Sequence, residues 1–414
     1  MKLQKVVKVY TLMLVVAACI SAFATGLCST AQAADWSNYR GPEYNGITGE
    51  TDWKSSWGDS GPKELWKKSI GIGFSSVTVA DGRVFATGNT GKKTNTDIVY
   101  CFDAVTGEQK WKHSYPCPLQ PKSYEGGTLG TPTVDGDKVY TLSKMGSLFC
   151  LNTADGKVIW QKELNKQMRY ELPTWHFSSS ALIIGDMLVF NIGDAGLALN
   201  KNTGATIWDN GKGKCGYATP VPFVMGGQRG LAIFGKNSIT AVSPTDGKKL
   251  WQYTWKTKYD INSADPIIHE NYVFISSGYD RGCAVLEVNY GEVTKLWESK
   301  VMRNHMNNCI FYEGYLYGFD DKELKCIAPE DGTEQWGDKG LGKGALVMSA
   351  DGRIIAMSDK GELVIAQANS QEFKVLARAQ ILPKGKCWTS PTLANGKIYA
   401  RNAAGDLVCV DVGG

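Results

Sequence analysis

The eleven residues CFDAVTGEQKW, at positions 101–111, contain the pattern that decides the fold of this chain. A small residue opens the segment, a glycine follows six positions later, and a tryptophan closes it ten positions after the start. The same order recurs in segments 150–160, 198–208, 241–251 and 326–336. Seven tryptophans, spaced by 39 to 49 residues, mark the series: Trp66, Trp111, Trp160, Trp208, Trp251, Trp297 and Trp336. An internal period of this length indicates a β-propeller or another repeat array.

Two further segments follow the pattern only in part. The copy that ends at Trp297 carries an insertion ahead of Gly291. A weaker copy, Ala366–Glu372–Leu376, has neither the glycine nor the tryptophan. We count both as repeats, and we expect Leu376 to stand where the tryptophan is missing.

Two short alternating runs lie ahead of each small residue, as in GTPTVDG at 130–136 and GDKVYTLSK at 136–144. Such β-branched and aromatic runs, bounded by Asp-Gly, Asn-Gly or Gly-Asp pairs, predict antiparallel strands joined by tight turns. The glycine before each tryptophan predicts another tight turn, because glycine reaches positive φ at little cost. Each repeat therefore has four strands, and both runs occur eight times. The predicted fold class is all-β, an eight-bladed β-propeller of four-stranded antiparallel blades.

The two ends of the chain are expected to share one blade. The C-terminal run DLVCVDVGG, at 406–414, supplies the small residue Cys409 and stops before a glycine and tryptophan. The run PKELWKK, at 62–68, supplies Trp66 ahead of any complete repeat. Strands from both termini then close the ring, which removes free strand edges. The predicted organisation is a signal peptide at 1–33, an arm strapped onto the propeller at 34–61, and the propeller at 62–414.

The N-terminal segment predicts export from the cytoplasm. Three lysines precede an apolar run at 10–27, and Ala31-Gln32-Ala33 follows, as in a secretory signal cleaved near Ala33. A competing interpretation is lipoprotein processing at the sequence Val16-Ala17-Ala18-Cys19, where a lipid on Cys19 would give peripheral membrane association. Both interpretations predict a location in the periplasm or cell envelope.

Charge and cysteine content narrow the function classes. The chain has 45 basic and 41 acidic residues, and removing the first 33 residues leaves a net charge near +1. This lacks the basic surplus of a nucleic-acid-binding protein. Four cysteines, Cys101, Cys150, Cys326 and Cys409, occupy the small-residue position and are expected as buried apolar thiols. Cys215 and Cys387 lie in similar loops of opposite blades, so a disulfide between them is not expected unless both loops enter the channel.

The pattern of a small residue, an Asp or Asn, a Thr-Gly or Asp-Gly turn and a tryptophan resembles the repeat of quinoprotein (PQQ-type) eight-bladed propellers. Residues 101–111 and 199–208 carry the resemblance most clearly, and it covers nearly all of the chain after residue 33. It implies that each indole packs against the neighbouring blade. The family includes alcohol dehydrogenases that bind pyrroloquinoline quinone (PQQ) and Ca²⁺. Its smaller members include the BamB-type outer-membrane assembly scaffold and secreted PQQ-like propellers.

Departures from the dehydrogenase pattern favour the non-catalytic branch. Those enzymes carry adjacent cysteines that form a disulfide over the cofactor, and this chain has no Cys-Cys pair. They also have long insertions between blades, which are missing here, and their calcium ligands have no clear counterpart. The resemblance therefore implies no catalytic residues, no metal and no cofactor. The alternative is a PQQ-dependent oxidoreductase with PQQ and Ca²⁺ in the propeller mouth and Asp260 or Glu125 as base.

Loops that lead from each outer strand to the next inner strand are expected to meet at one mouth of the ring. The unusual residues of these loops are the candidate binding residues: Tyr124, Glu125, Trp175, His176, Lys214, Tyr217, Asp260, Arg303, His305, Lys386 and Trp388. Aromatic rings with cations suit a planar anionic ligand. The competing interpretation is that they are ordinary solvated loop residues and channel plugs.

The two longest loops, 112–130 and 161–177, lie on adjacent blades and are rich in aromatic residues and proline. Long loops on a rigid scaffold often form a binding surface, here one suited to an extended or peptide-like partner. The sequence predicts a secreted or envelope binding scaffold that holds an envelope protein or extracellular polymer on these rim loops.

Overall fold

The computed structural model describes residues 35–414, so the predicted signal peptide with Cys19 and Ala33 lies outside the described residues. Strands β1 to β33 and one 3-10 turn at Lys258–Asp260 make up the regular structure of this part of the chain. The strands form eight antiparallel blades of four strands each, which confirms the predicted fold class. No helix within residues 35–414 is long and apolar enough to cross a membrane.

The blades follow one another along the chain, each running from an inner to an outer strand. Blade 1 comprises β3 (Thr78–Ala80), β4 (Arg83–Asn89), β5 (Thr96–Asp103) and β6 (Gln109–Pro116). Blade 2 comprises β7 (Thr133–Asp135), β8 (Lys138–Leu142), β9 (Ser147–Asn152) and β10 (Val158–Glu163). Blade 3 comprises β11 (Leu182–Ile184), β12 (Met187–Phe190), β13 (Leu197–Asn200) and β14 (Thr206–Asp209). Blade 4 comprises β15 (Val221–Met225), β16 (Gln228–Phe234), β17 (Ser238–Val242) and β18 (Lys249–Thr254). Blade 5 comprises β19 (Ile267–His269), β20 (Tyr272–Ser277), β21 (Gly282–Asn289) and β22 (Glu292–Ser299). Blade 6 comprises β23 (Ile310–Tyr312), β24 (Tyr315–Asp320), β25 (Glu323–Ile327) and β26 (Glu334–Asp338). Blade 7 comprises β27 (Ala345–Ser349), β28 (Arg353–Met357), β29 (Glu362–Gln367) and β30 (Lys374–Gln380).

Blade 8 contains both ends of the propeller, as predicted. Strands β31 (Thr392–Ala394), β32 (Lys397–Arg401) and β33 (Asp406–Asp411) come from the C-terminus, and β2 (Lys63–Ser69) forms the outer strand. β2 runs antiparallel to β33 and places Trp66 opposite Cys409. The same pairing of a small residue with tryptophan occurs in blades 1, 2, 3, 4 and 6, as for Cys101 and Trp111, and a β-bulge lies beside each pair.

A tryptophan of one blade and a glycine of the next pack together at five of the eight contacts between neighbouring blades. The indole of Trp111 lies against Gly156 of blade 2, and a Cβ at that glycine would lie only 2.6 Å from the ring. The Trp111 Nε1 donates to the Thr153 carbonyl at 2.8 Å. Matching bonds join Trp66 to Ala104, Trp160 to Lys201, Trp208 to Pro244, Trp297 to Pro329 and Trp336 to Asn369. The packing implied by the resemblance is confirmed, although Trp160, Trp297 and Trp336 are only half-buried.

Blade 7 departs from the expected register. Ile365, and not Ala366, lies opposite Ala377, and the bulge follows this pair. Ala377 therefore stands where the other blades have tryptophan, and the assignment of Leu376 was wrong by one residue. The hairpin that joins β29 to β30 is longer than the matching hairpin of most other blades. The extra residues shift the bulge, and a shift of one residue reverses the face of the sheet on which a side chain lies.

An N-terminal arm, residues 35–62, covers the face opposite the long loops. β1 (Ile47–Thr48) pairs in parallel with β27, and Trp36 forms an antiparallel bridge with Val79 of blade 1. Near blade 8, the carboxylate of Glu50 accepts from the Gly396 N–H at 2.9 Å. The arm thus connects blades 1, 7 and 8 across one face.

Arm residues also fill the seam between blades 7 and 8. The guanidinium of Arg353 donates to the Trp53 carbonyl at 2.7 Å and lies 4.0 Å from the Trp53 ring centre. Trp57 donates from Nε1 to the Arg378 carbonyl at 3.0 Å, and it packs half-buried against the same hydrophobic cluster as Ala377. An indole from the arm therefore lies beside the blade that lacks its own tryptophan.

All nine cysteines of residues 35–414 are buried free thiols, and none of them forms a disulfide. Burial raises the pKa of the Cys101 thiol to about 12. The prediction that the cysteines of the repeat act as small apolar residues is confirmed.

Candidate functional site

A cavity of about 240 Å³ lies at the centre of the ring. Its lower wall comes from the starts of the inner strands and from Tyr39 of the arm, and its upper wall comes from loops of several blades, including the two long loops. The hydroxyl of Tyr39 accepts from Asn308 Nδ2 at 3.2 Å, so the arm is tied to blade 6 at this point. We call this space the central cavity.

A ring of hydrogen bonds surrounds the lower part of the central cavity. In blades 2 to 6, one residue just ahead of the inner strand uses its side-chain oxygen to accept the backbone N–H of its counterpart in the preceding blade. The successive N···O distances are 2.9, 3.1, 3.3, 2.7 and 2.6 Å. This polar ring consists of Ser76, Thr131, Ser180, Thr219, Asp265 and Asn308. The bonds satisfy N–H groups that an inner edge would otherwise leave buried and unpaired.

Sequence reasoning missed the polar ring, although the sequence carries a signal for it. Thr131, Thr219 and Asp265 each precede a proline at the start of an inner run. A Ser, Thr or Asp followed by proline recurs with the same period as the tryptophans, and this recurrence could have identified the ring.

Asp265 is the only carboxylate in the wall of the central cavity. Burial raises the pKa of Asp265 to about 6, and the charge of Arg40 opposes this shift. Arg40 Nη1 lies 3.9 Å from Asp265 Oδ2, and the guanidinium also donates to the Cys309 carbonyl at 2.9 Å. The Thr219 N–H donates to the same carboxylate at 2.7 Å. The negative charge therefore has close partners inside the protein.

Aromatic side chains surround the upper part of the central cavity. Phe74 contacts Tyr124 and Trp388, with ring centres 5.8 and 5.9 Å apart. Tyr124 contacts Trp175 at 6.0 Å. We call the set that lines the cavity the aromatic belt: Phe74, Tyr124, Trp175, Tyr217, Tyr279, His305 and Trp388. Phe74 and Tyr279 were not predicted, although Phe74 lies in the same kind of loop as the predicted residues.

The two long loops contact each other and bring four predicted residues together. Lys122 Nζ donates to the Thr174 carbonyl at 2.6 Å. The Tyr124 hydroxyl lies 3.5 Å from His176 Nδ1, and the Trp175 N–H donates to the Tyr217 hydroxyl at 3.1 Å. The loops therefore form one surface beside the mouth of the cavity.

His176 is a buried and uncharged residue of this surface. It is buried, and its backbone φ is +71°, which is uncommon for a residue other than glycine. Burial lowers the pKa of His176 to about 4, with a smaller contribution from Lys122. The imidazole is therefore neutral near pH 7.

His305 is the second neutral imidazole of the mouth. Burial and the charge of Lys343 lower its pKa to about 4. Lys343 Nζ lies 2.8 Å from His305 Nδ1, so the ammonium donates and the hydrogen of the neutral ring is on Nε2. Its ring packs on Tyr279 with centres 4.5 Å apart.

The predicted charged residues of the mouth are mostly engaged with opposite charges. Lys386 lies 2.9 Å from Glu125, and Asp260 lies 3.4 Å from Lys236. Arg303 binds Asp320 through two nitrogens, at 2.6 and 2.9 Å. Among the predicted residues, those that line the cavity are Tyr124, Trp175, Tyr217, His305 and Trp388. The predicted residues outside its lining are Glu125, His176, Lys214, Asp260, Arg303 and Lys386.

The cavity wall does not fit PQQ with Ca²⁺. Calcium requires six to eight oxygen ligands, whereas Asp265 is the only carboxylate of the lining and already binds protein groups. No cluster of three or more His, Cys, Asp or Glu side chains suited to a metal occurs within residues 35–414. No lysine or arginine lines the cavity. The lining therefore has no cation to bind an anionic quinone or the planar anionic ligand that the sequence predicted.

Comparisons with known proteins agree with this architecture. Residues 95–337 match the family described as outer membrane protein assembly factor BamB. BamB of Yersinia pestis is 23% identical over 372 residues, which cover 84% of this chain and 88% of that protein. The crystal structure of BamB from Moraxella catarrhalis has a TM-score of 0.60 at 19% identity, covering 84% of this chain and 97% of that one. A quinohemoprotein alcohol dehydrogenase from Comamonas testosteroni has a TM-score of 0.62 at 12% identity, covering 94% and 82%. The likeness to these two solved structures is one of fold.

Proposed function

Because this chain belongs to the family of the outer membrane protein assembly factor BamB, we propose that it is a non-catalytic binding scaffold of the cell envelope. In this proposal it takes part in outer membrane protein assembly and holds a protein partner on its rim. The observation that carries the proposal is the contact between the two long loops, through Lys122 with Thr174 and Tyr124 with Trp175.

The loop pair, residues 112–130 and 161–177, has the character of a protein-binding surface. Trp175 is half-buried and has Lys122 above its ring at 5.6 Å, so an aromatic face and a positive charge lie side by side. Tryptophan and tyrosine, the aromatic residues of this surface, are enriched where proteins bind one another. The eight blades hold the loops in place, which lowers the entropic cost of binding. The quinoprotein alternative is not favoured, because the cavity wall lacks ligands for calcium and cations for the quinone.

Export belongs to the same proposal. Cleavage after Ala33 would release a protein that begins shortly before the arm, and lipid on Cys19 would instead attach it to a membrane. N-terminal sequencing and intact mass of the protein from a membrane-free periplasmic extract distinguish the two. A protein that retains residues 1–33 in that extract would contradict both forms of processing.

The binding surface is tested with the double variant Tyr124→Ala and Trp175→Ala. We expect it to keep the melting temperature of the ring and to lose crosslinks to outer-membrane β-barrel assembly proteins in envelope extracts. The matched control is Tyr290→Ala, a fully exposed tyrosine in a hairpin on the opposite face. Equal crosslinking by the double variant and the parent protein would contradict the proposed surface.

A further inference from the structure

The wall of the central cavity is rich in hydroxyl groups and aromatic rings and nearly free of charge. Its 22 residues include nine serines and threonines and seven aromatic residues, but no lysine or arginine. The one carboxylate, Asp265, lies beside Arg40, and His305 is neutral. The lysines nearest the wall, Lys343 and Lys386 beside Trp388, are paired with Asp321 and Glu125. A charged ligand would lose its hydration here without gaining an unpaired opposite charge, so the cavity suits an uncharged one.

The polar ring offers hydrogen-bond donors toward the cavity. The oxygens of Thr131, Ser180 and Thr219 each accept a backbone N–H from the neighbouring blade. No acceptor within residues 35–414 takes the hydroxyl hydrogens of these three side chains. Each hydroxyl is therefore held in position by the fold and can still donate one hydrogen bond.

The aromatic belt supplies apolar faces above these donors. Phe74 and Trp388 stand on one side of the mouth, and Tyr279 packed on His305 stands on another. A ligand that contacts both the polar ring and the aromatic belt needs oxygens to accept from the hydroxyl donors and C–H surfaces to pack on the aromatic rings. A sugar ring combines these two properties without carrying a charge.

We propose that the central cavity binds an uncharged sugar. Its oxygens accept from Thr131, Ser180 and Thr219, and its C–H faces pack against the aromatic belt. The cavity shares Tyr124 and Trp175 with the loop pair, but it takes a different kind of ligand and does not depend on the proposed function. Trp388 and Tyr279 lie outside the loop pair, so variants of these residues test the cavity alone.

The test is calorimetric titration of the protein with D-glucose and with N-acetyl-D-glucosamine. We expect saturable binding of at least one of them and much weaker binding of D-glucuronate, which adds a carboxylate. Trp388→Ala and Tyr279→Ala should each weaken the binding by about tenfold, the value of one lost aromatic contact. The matched control is Tyr259→Ala, because Tyr259 packs on Tyr279 at 5.2 Å but does not line the cavity.

A further pair of variants at Thr131 tests whether its hydroxyl group contributes to sugar binding. Thr131→Ser keeps the hydroxyl and should keep sugar binding, whereas Thr131→Val removes the donor and should weaken binding. If Thr131→Val fails to fold, the Trp388 and Tyr279 variants still decide the outcome. The proposal is overturned if neither sugar binds, if binding is unchanged in Trp388→Ala, or if glucuronate binds more tightly. Preferential binding of N-acetylphenylalanine amide would also overturn it, since the cavity would then be a pocket for a peptide side chain.

Discussion

At the scale of single residues, a tryptophan and a glycine hold neighbouring blades together. Gly247 has a φ of +70°, and a Cβ at this position would lie 2.8 Å from the Trp208 ring. The glycine therefore serves both the tight turn and the close approach of the indole. The Trp208 Nε1 bond to the Pro244 carbonyl, at 2.8 Å, fixes the orientation of the ring.

We expect Trp208→Ala to lower the free energy of unfolding by about 3–5 kcal/mol, because a side chain only 6% exposed would leave a cavity. Trp208→Phe keeps an aromatic ring and should cost less, mainly through the lost hydrogen bond, about 1 kcal/mol. Urea denaturation measures both values. A Trp208→Ala protein with the parent midpoint would show that the indole does not join the blades.

Two histidines of the mouth, buried His176 and half-buried His305, predict how stability depends on pH. The pKa of His176 and of His305 is about 4 in the folded protein, against an ordinary value of 6.5. Between these pH values the unfolded chain binds protons that the folded protein does not, so stability falls as the pH falls from 6.5 toward 4. Asp265, with its pKa raised to about 6, has the opposite effect.

Replacing both histidines by glutamine should therefore reduce the loss of stability between pH 6.5 and pH 4.5. The measurement is the urea midpoint of the parent and of the double variant at both pH values. The single variant His269→Gln, at an exposed position on another blade, is the control. An equal loss in the parent and the double variant would contradict the neutral state of the two imidazoles.

At the scale of elements, the arm compensates for the irregular seventh blade. Ala377 replaces the tryptophan of this blade, and the ends of the chain lie where blade 8 would have its glycine turn. Trp57 and Trp53 occupy this seam and are held by the Arg378 carbonyl and the Arg353 guanidinium. The arm is thus part of the blade packing as well as the floor of the central cavity.

Trp57→Ala should destabilise the ring, since it removes a hydrogen bond and half-buried aromatic surface. Ala377→Trp should also destabilise the parent, because the arm already fills the seam, yet it should cost less when Trp57 is alanine. The four melting temperatures form a double-mutant cycle. Additive effects would show that the two positions do not share one space.

At the scale of the whole molecule, closure depends on one strand. β33 pairs with β32 on one side and with β2 on the other, so it joins the two ends of the propeller. The polar ring adds hydrogen bonds from blade 1 to blade 6 around the cavity. Closure and the polar ring together place the inner strands around one cavity.

Deleting residues 405–414 should open the ring, because β2 and β32 both lose their partner and expose strand edges. We expect a fall of many degrees in the melting temperature, with aggregation at high protein concentration. Deleting Gly414 alone is the control and should have little effect. An unchanged melting temperature after the longer deletion would refute closure by terminal strands.

Four features follow from the sequence pattern alone: the number of blades, the four strands of each blade, the joining of the two termini and the packing of tryptophan on the next blade. These features depend on short-range spacing, such as that of Cys101, Gly107 and Trp111, which repeats along the chain. A repeat that cannot bury its faces alone must stack on its neighbours, so this local pattern specifies the ring.

The set of side chains that lines the central cavity depends on contacts between distant parts of the chain. Tyr39, Phe74, Tyr279 and Trp388 are distant in sequence, and they lie in the arm and in loops of different blades. The tertiary structure also pairs Lys386 with Glu125, and the cavity wall has no lysine or arginine where sequence alone predicted an anion site. In the same way it moved the register of blade 7 by one residue. The physical reason is that loop conformation, ion pairing and hairpin length depend on contacts between blades, and no pattern within one repeat encodes those contacts.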